Sequence, residues 1–188
     1  MTASEILAEH AEGASLTVDV LAALIREGVD MRAICRRVER GRLGPPRLDR
    51  VVYLGNGFEF ARYHGGRDVG AMTFIVRDEI GDPIDIAAWS PRIAKLATWC
   101  GRGALLGAEN CFGFRMQEKL AIHPTPLEWL QSLCRGVVVL NGAKAADLLR
   151  RAQPLQASSY EHGQQLERLL TRPRPRIFVP TPNQRRAA

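Results

Sequence analysis

Lysine is almost missing from this chain: Lys95, Lys119 and Lys144 stand among 26 Lys and Arg residues. Its cysteines, Cys35, Cys100, Cys111 and Cys134, never form a close C-x-x-C pair. Zinc sites draw on such convergent pairs, so the expectation is no metal and no cofactor, with the cysteines serving as small core residues in a reduced cytosol. No apolar run reaches the roughly 20 residues that a membrane-spanning helix needs. Residues Met1 to Gly13 carry Glu5, Glu9 and Glu12 where a secretory leader would be apolar, so a cytoplasmic protein is expected. The glycine-rich stretch Gly101-Arg102-Gly103-Ala104-Leu105-Leu106-Gly107 lacks the Gly-Lys-Ser/Thr ending of a phosphate loop. It reads instead as a short helical turn bounded by glycines.

What remains is an ordinary globular composition. The chain has 188 residues, 46% of them hydrophobic and 24% charged, and a net charge of +6. That charge permits an acidic partner, either nucleic acid or an acidic protein. The bias towards arginine has two readings: planar forks that grip phosphate, or simply arginine-rich coding.

Residues 1–46 read as an N-terminal helical pair. Thr17 caps a helix burying Val20, Leu21, Leu24 and Ile25, and Gly28 closes it. Asp30 caps a second helix carrying Ile34, Cys35 and Val38. That helix is basic through Arg32, Arg36, Arg37 and Arg40, followed by Arg42. Two helices around a glycine turn outline a helix-turn-helix, in which the arginines would hold phosphates or guanine edges. The alternative is a simple helical hairpin with a solvated arginine face.

Residues 47–180 read as one α+β or α/β domain, and 181–188 as a frayed tail. Its first half is an antiparallel meander. Val51 to Leu54 and Phe58 to Arg62 flank the turn Gly55-Asn56-Gly57. Ala71 to Asp78 and Pro83 to Trp89 form a hairpin around Glu79-Ile80-Gly81-Asp82, and Lys95 to Cys100 is a further strand. Trp89 and Trp99 are read as closing the edge of a core, the alternative being stacking on a base or sugar.

The second half is a small, mostly parallel β-α-β-α-β-α-β layer. Its strands are Leu120 to Ile122, Val137 to Leu140, Leu155 to Ala157 and Ile177 to Val179. Capping boxes are expected at Thr125 to Glu128 and at Ser158 to Glu161. Ligands of such sheets sit beyond the carboxyl ends of the strands. That rim would present His123, Thr125, Asn141, Ser158 and Ser159, of which all but His123 are explained as helix caps. His123 is therefore the single catalytic candidate, a general base without an evident acidic partner. The segment Thr171-Arg172-Pro173-Arg174-Pro175-Arg176 is either a basic arm on nucleic acid, through Arg172, Arg174 and Arg176, or a stiff lead into the last strand.

The elements Pro83-Ile84-Asp85-Ile86-Ala87-Ala88-Trp89, Leu96-Ala97-Thr98-Trp99, Leu105-Leu106-Gly107, His123-Pro124-Thr125-Pro126-Leu127-Glu128-Trp129-Leu130 and Cys134-Arg135-Gly136-Val137-Val138-Val139-Leu140 together resemble uncharacterised proteins of prophage-like regions in α-proteobacteria. The resemblance spans about residues 70 to 180 and implies a mobile element and a cytoplasmic product. The meander followed by strand-helix-strand is also similar to the toprim region of phage-type primases. That family holds magnesium with a glutamate after its first strand and an Asp-x-Asp pair after a later one. Here His123-Pro124-Thr125 and Asn141-Gly142-Ala143 stand in those places, so the resemblance implies a region degenerate for two-metal chemistry. The functional expectation is a non-enzymatic accessory binding or scaffolding protein. The alternatives are an enzyme with its site near His123 and a structural subunit with no ligand.

Overall fold

The computed structural model describes residues 1–41, 43–63, 67–112, 119–152 and 154–171. Arg42, the Gly65-Gly66 loop, the arm Arg172, Arg174 and Arg176, the expected strand Ile177 to Val179 and the tail lie outside them. The described part is α+β, with helices first, then a barrel, then an open sheet.

Three helices precede the strands rather than two. The first, α1 (Ala3–Ala11), starts at a capping box: the Thr2 hydroxyl accepts from the Glu5 amide and the Thr2 amide donates to the Glu5 carboxylate. Thr17 caps α2 (Val18–Arg26) and Asp30 caps α3 (Met31–Glu39), as their sequences imply. Gly28, at φ 85°, takes the left-handed conformation that ends α2. Its amide donates to Ile25 and that of Val29 to Leu24, and both Leu24 and Val29 are buried. Those paired bonds and the apolar contact make a Schellman stop.

The expected meander closes on itself. Strands β1 (Arg47–Leu54), β2 (Gly57–Phe60), β3 (Val69–Arg77), β4 (Pro83–Ser90) and β5 (Lys95–Thr98) form a barrel in the order β1-β2-β5-β4-β3. Four seams are antiparallel, and the fifth, β2 to β5, is a single parallel pairing of Gly57 with Thr98. Closure leaves no open edge to template aggregation. Alternation along β3 sends Ala71 and Ile75 into the barrel with Val51, Phe58, Phe60, Ile86, Ala88 and Ala97. Met72, Phe74 and Val76 face outward onto α2, α3 and the α/β layer. Ile6 of α1 fills the barrel core, and the buried His10 bonds the Thr73 carbonyl oxygen through Nε2 at 3.3 Å.

The second layer is the four-stranded sheet β6-β8-β7-β9. Leu105-Leu106 is the strand β6, antiparallel to β8 (Val137–Val139), and not the helical turn that its flanking glycines suggest. A two-residue apolar run gains more from pairing in a buried sheet, where both leucines are within 1% of full burial, than from a turn. Strands β7 (Leu120–His123) and β8 are parallel, as are β7 and β9 (Leu155–Gln156). Helix α4 (Pro126–Gln131) links β7 to β8, α5 (Gly142–Arg151) links β8 to β9, and α6 (Tyr160–Leu170) follows. The chain thus leaves β7 on one side and returns on the other, which makes β7 and β9 the topological switch point. Trp129 of α4, 1% exposed, meets Phe74 of the barrel edge-to-face at 6.1 Å and joins the two layers.

Candidate functional site

At the carboxyl rim of the sheet, the protein's own backbone occupies most of the polar groups. Thr125 accepts from the Glu128 amide and Asn141 from that of Lys144. The last cap is shifted by one residue from its expected place: Ser159, not Ser158, caps α6 by accepting from the His162 amide. His162, not Glu161, reaches back over the start of α6: its Nδ1 accepts from the Ser158 amide, one residue before the cap, at 3.3 Å. An imidazole at the third helical position reaches back as a glutamate would, so His162 is half-buried and engaged rather than turned to solvent.

His123 is half-buried at the end of β7, with Nε2 2.9 Å from the Arg135 carbonyl oxygen. Only a protonated nitrogen bonds a carbonyl, so Nε2 carries the hydrogen and Nδ1 is the basic atom. The carbonyl it holds lies just past Leu133 and Cys134, two residues with φ of 59° and 57°. Consecutive left-handed non-glycine residues are strained and persist only where their surroundings hold them. Here the Ser132 hydroxyl lies 2.8 Å from the same Arg135 oxygen, and Trp129 Nε1 donates to the Gly136 carbonyl at 3.1 Å. Asn110 adds a second donor to Gly136 at 2.9 Å. His123 thus has a positioning part in this turn.

The fold also brings together groups that are distant in sequence. Burial lowers the pKa of His162 from its ordinary 6.5, the Glu128 carboxylate opposes that shift, and His123 reinforces it. The Glu128 carboxylate and the His123 ring are therefore both within electrostatic reach of His162 across the switch point. The sequence hid this because Glu128 and His162 lie 34 positions apart, on separate helices. Among the described residues no group of three or more His, Cys, Asp or Glu is arranged to hold a metal ion.

The glycine-rich connector beyond β5 has a carboxylate of its own. Asp85, fully buried on β4, accepts from the amides of Ile86, Cys100, Arg102 and Gly103 at 2.7–3.0 Å. The amides that would otherwise cradle an anion are thereby saturated. Its sequence signal was faint: an aspartate between two isoleucines of an apolar strand, on the face it shares with Ala87 and Trp89 outside the barrel. Cys111 and Cys134 are buried and their thiols pushed up to about 12, chiefly by burial; Cys35 is exposed and Cys100 half-buried, so the four are not uniformly core residues. Trp89 is buried in the core, whereas Trp99 is half-exposed beside Phe60 and Tyr63 at a cleft of about 250 Å³.

The arginines divide by partner. Arg50 forks onto Asp68, Arg62 onto Asp49 and Glu9, Arg150 onto Asp147, and Arg151 onto Glu79. On α3, Arg32, Arg36 and Arg40 are exposed, and no carboxylate pairs with them among the described residues. Arg37 differs from the other three. It is half-buried, its Nε has no partner, and its charge acts on Glu109 and Cys134 in the interior. Glu109 has an equally unpartnered buried Oε2, and burial raises its pKa. No family model, no curated protein and no solved structure matches the chain, so its reading rests on these residues. No helix among the described residues is long and apolar enough to cross a membrane.

Proposed function

We propose that the protein is a non-enzymatic accessory binding protein of a prophage-like element, working in the cytoplasm and holding nucleic acid through α3. One observation carries this reading: Arg32, Arg36 and Arg40 stand four residues apart on one exposed face of α3 and have no carboxylate partner among the described residues, whereas Arg50, Arg62, Arg150 and Arg151 are ion-paired. The rim of the sheet supports it from the other side, since its hydroxyls and amide are engaged in starting helices. The test is gel retention of a short mixed-sequence duplex at low ionic strength. Wild type is retained, and the triple variant Arg32→Ala, Arg36→Ala, Arg40→Ala is not. Lack of any retention by folded wild type ends the reading. A parallel variant, Arg172→Ala with Arg174→Ala and Arg176→Ala, reports what the C-terminal arm adds.

A second reading places an enzyme site at the switch point. It is favoured by His123 and Glu128 both lying near His162 and by the Nδ1 acceptor left open on His123 by its Nε2–Arg135 bond. Under it, His123→Ala abolishes turnover of some substrate without changing nucleic-acid retention. Retention lost in both the His123 and the α3 variants would point to misfolding instead. A subunit with neither activity would show only a defined oligomer in solution.

A further inference from the structure

We infer that α3 lies lengthwise along a nucleic-acid backbone and grips it irrespective of base sequence, rather than entering a groove end-on as a recognition helix does. This rests on the reading of α3 as the binding face. A recognition helix reads base edges with its N-terminal residues. At that end of α3 stand the carboxylates of Asp30, which caps the helix, and Glu27, both exposed, while Met31 packs against the core. The cations are not gathered at that end but run the length of the helix from Arg32 in its first turn, at four-residue intervals along one face. Four residues rise by about 6 Å, so Arg32 to Arg40 spans about 12 Å.

The three guanidinium groups, one at roughly each helical turn, can each neutralise one phosphate of the strand they lie along. Helix stability explains only the far end of the stripe, where Arg36 lies in the last turn of α3 and Arg40 is its C-cap residue. Cations favour the last turn of a helix and oppose the first, and Arg32 occupies the first turn, where α3 carries no acid at all. Glu39 is the one carboxylate on this face, exposed between Arg36 and Arg40 in sequence and without an ion pair among the described residues. It stands against the phosphates and limits affinity.

Three neutralised phosphates fix the salt dependence. The slope of log affinity against log salt is about −0.9 per phosphate, so α3 contributes about −2.7, a roughly 40-fold weakening between about 50 and 200 mM salt. The experiment measures that slope by fluorescence anisotropy for folded wild type, for each single Arg→Ala variant and for the triple variant, with two duplexes of unrelated sequence. Each single variant is expected to flatten the slope by about one and the triple variant by nearly three. Affinities for the two duplexes are expected to agree within severalfold, and Glu39→Gln to tighten binding. A preference above about tenfold between the sequences overturns the lengthwise grip. So does a slope unchanged in the triple variant, or a Glu39→Gln variant that binds more weakly. Each of these leaves nucleic-acid binding itself standing, whereas absence of binding by wild type removes both.

Discussion

The carboxyl rim of the sheet and the outer face of α3 are both polar, but their polar groups have opposite fates. At the rim, Thr125, Asn141, Ser159 and His162 are bonded to main-chain amides, and His123 to a main-chain carbonyl. On α3, Arg32, Arg36 and Arg40 are exposed and pair with no carboxylate among the described residues. Groups of the first kind contribute to folding, and their removal leaves backbone donors or acceptors unpaired. Groups of the second kind contribute little to stability, so they are free to serve a partner. The difference separates architecture from contact surface, and it can be attacked by substitution.

The largest effect belongs to Asp85. Replacing it with alanine strands several amides at once and is expected to cost about 4 kcal/mol in urea unfolding. Unchanged stability would refute its part as a clasp. Next is Gly136→Ala. The new Cβ would sit 2.3 Å from the Ala121 carbonyl oxygen at a φ of 78°, for a loss of about 2–3 kcal/mol. Asn141→Ala removes the cap of α5 and should cost about 1 kcal/mol, read in the same way.

Acid should act on the inner side of the comparison alone. Burial lowers the pKa of His10 below its ordinary 6.5, opposed by the Thr73 carbonyl, with Arg47 reinforcing and Asp49 opposing. The unfolded chain then takes up the proton at a higher pH than the folded one. The stability His10 gives is therefore complete above about pH 6.5 and declines as pH falls below it. His162 shifts in the same direction. Unfolding measured from about pH 7.5 to about pH 5.5 should show that decline, with a shallower one in His10→Asn. An identical profile in the variant would clear His10 of the effect. The smallest change is expected from the α3 triple variant, within about 0.5 kcal/mol of wild type in stability. A larger loss would mean that those arginines are structural and would blur the contrast.

Local features of the fold were legible in the sequence. Thr17, Asp30, Thr125 and Asn141 cap the helices they precede, and Gly28 stops α2, because a cap is decided within a few residues. Barrel closure was not legible. It depends on β1 pairing with β3 and on β2 meeting β5 at Gly57 and Thr98, contacts between distant segments. Burial of both faces of β3 also erased the alternation that would have marked one face as wet. α1 was legible in principle from Thr2 and Glu5, a box of the kind recognised at Thr125. At the rim, His123 was visible as a strand-end residue. Its bond to Arg135 and its nearness to His162 follow from the return of the chain on the far side of β7, which no local pattern encodes.

The four-amide grip of Asp85 bears on how this gene tolerates length changes. Extra residues placed at Ile80, on the exposed turn held by the Asp78 carboxylate, by Arg77 donating to the Gly81 carbonyl and by the Arg151–Glu79 pair, should loop out with little cost. The same residues placed between Cys100 and Gly103 would draw the amides away from a carboxylate sealed inside the protein. Barrel and sheet then lose one of their ties, so a fusion or epitope tag belongs at the first place and never at the second.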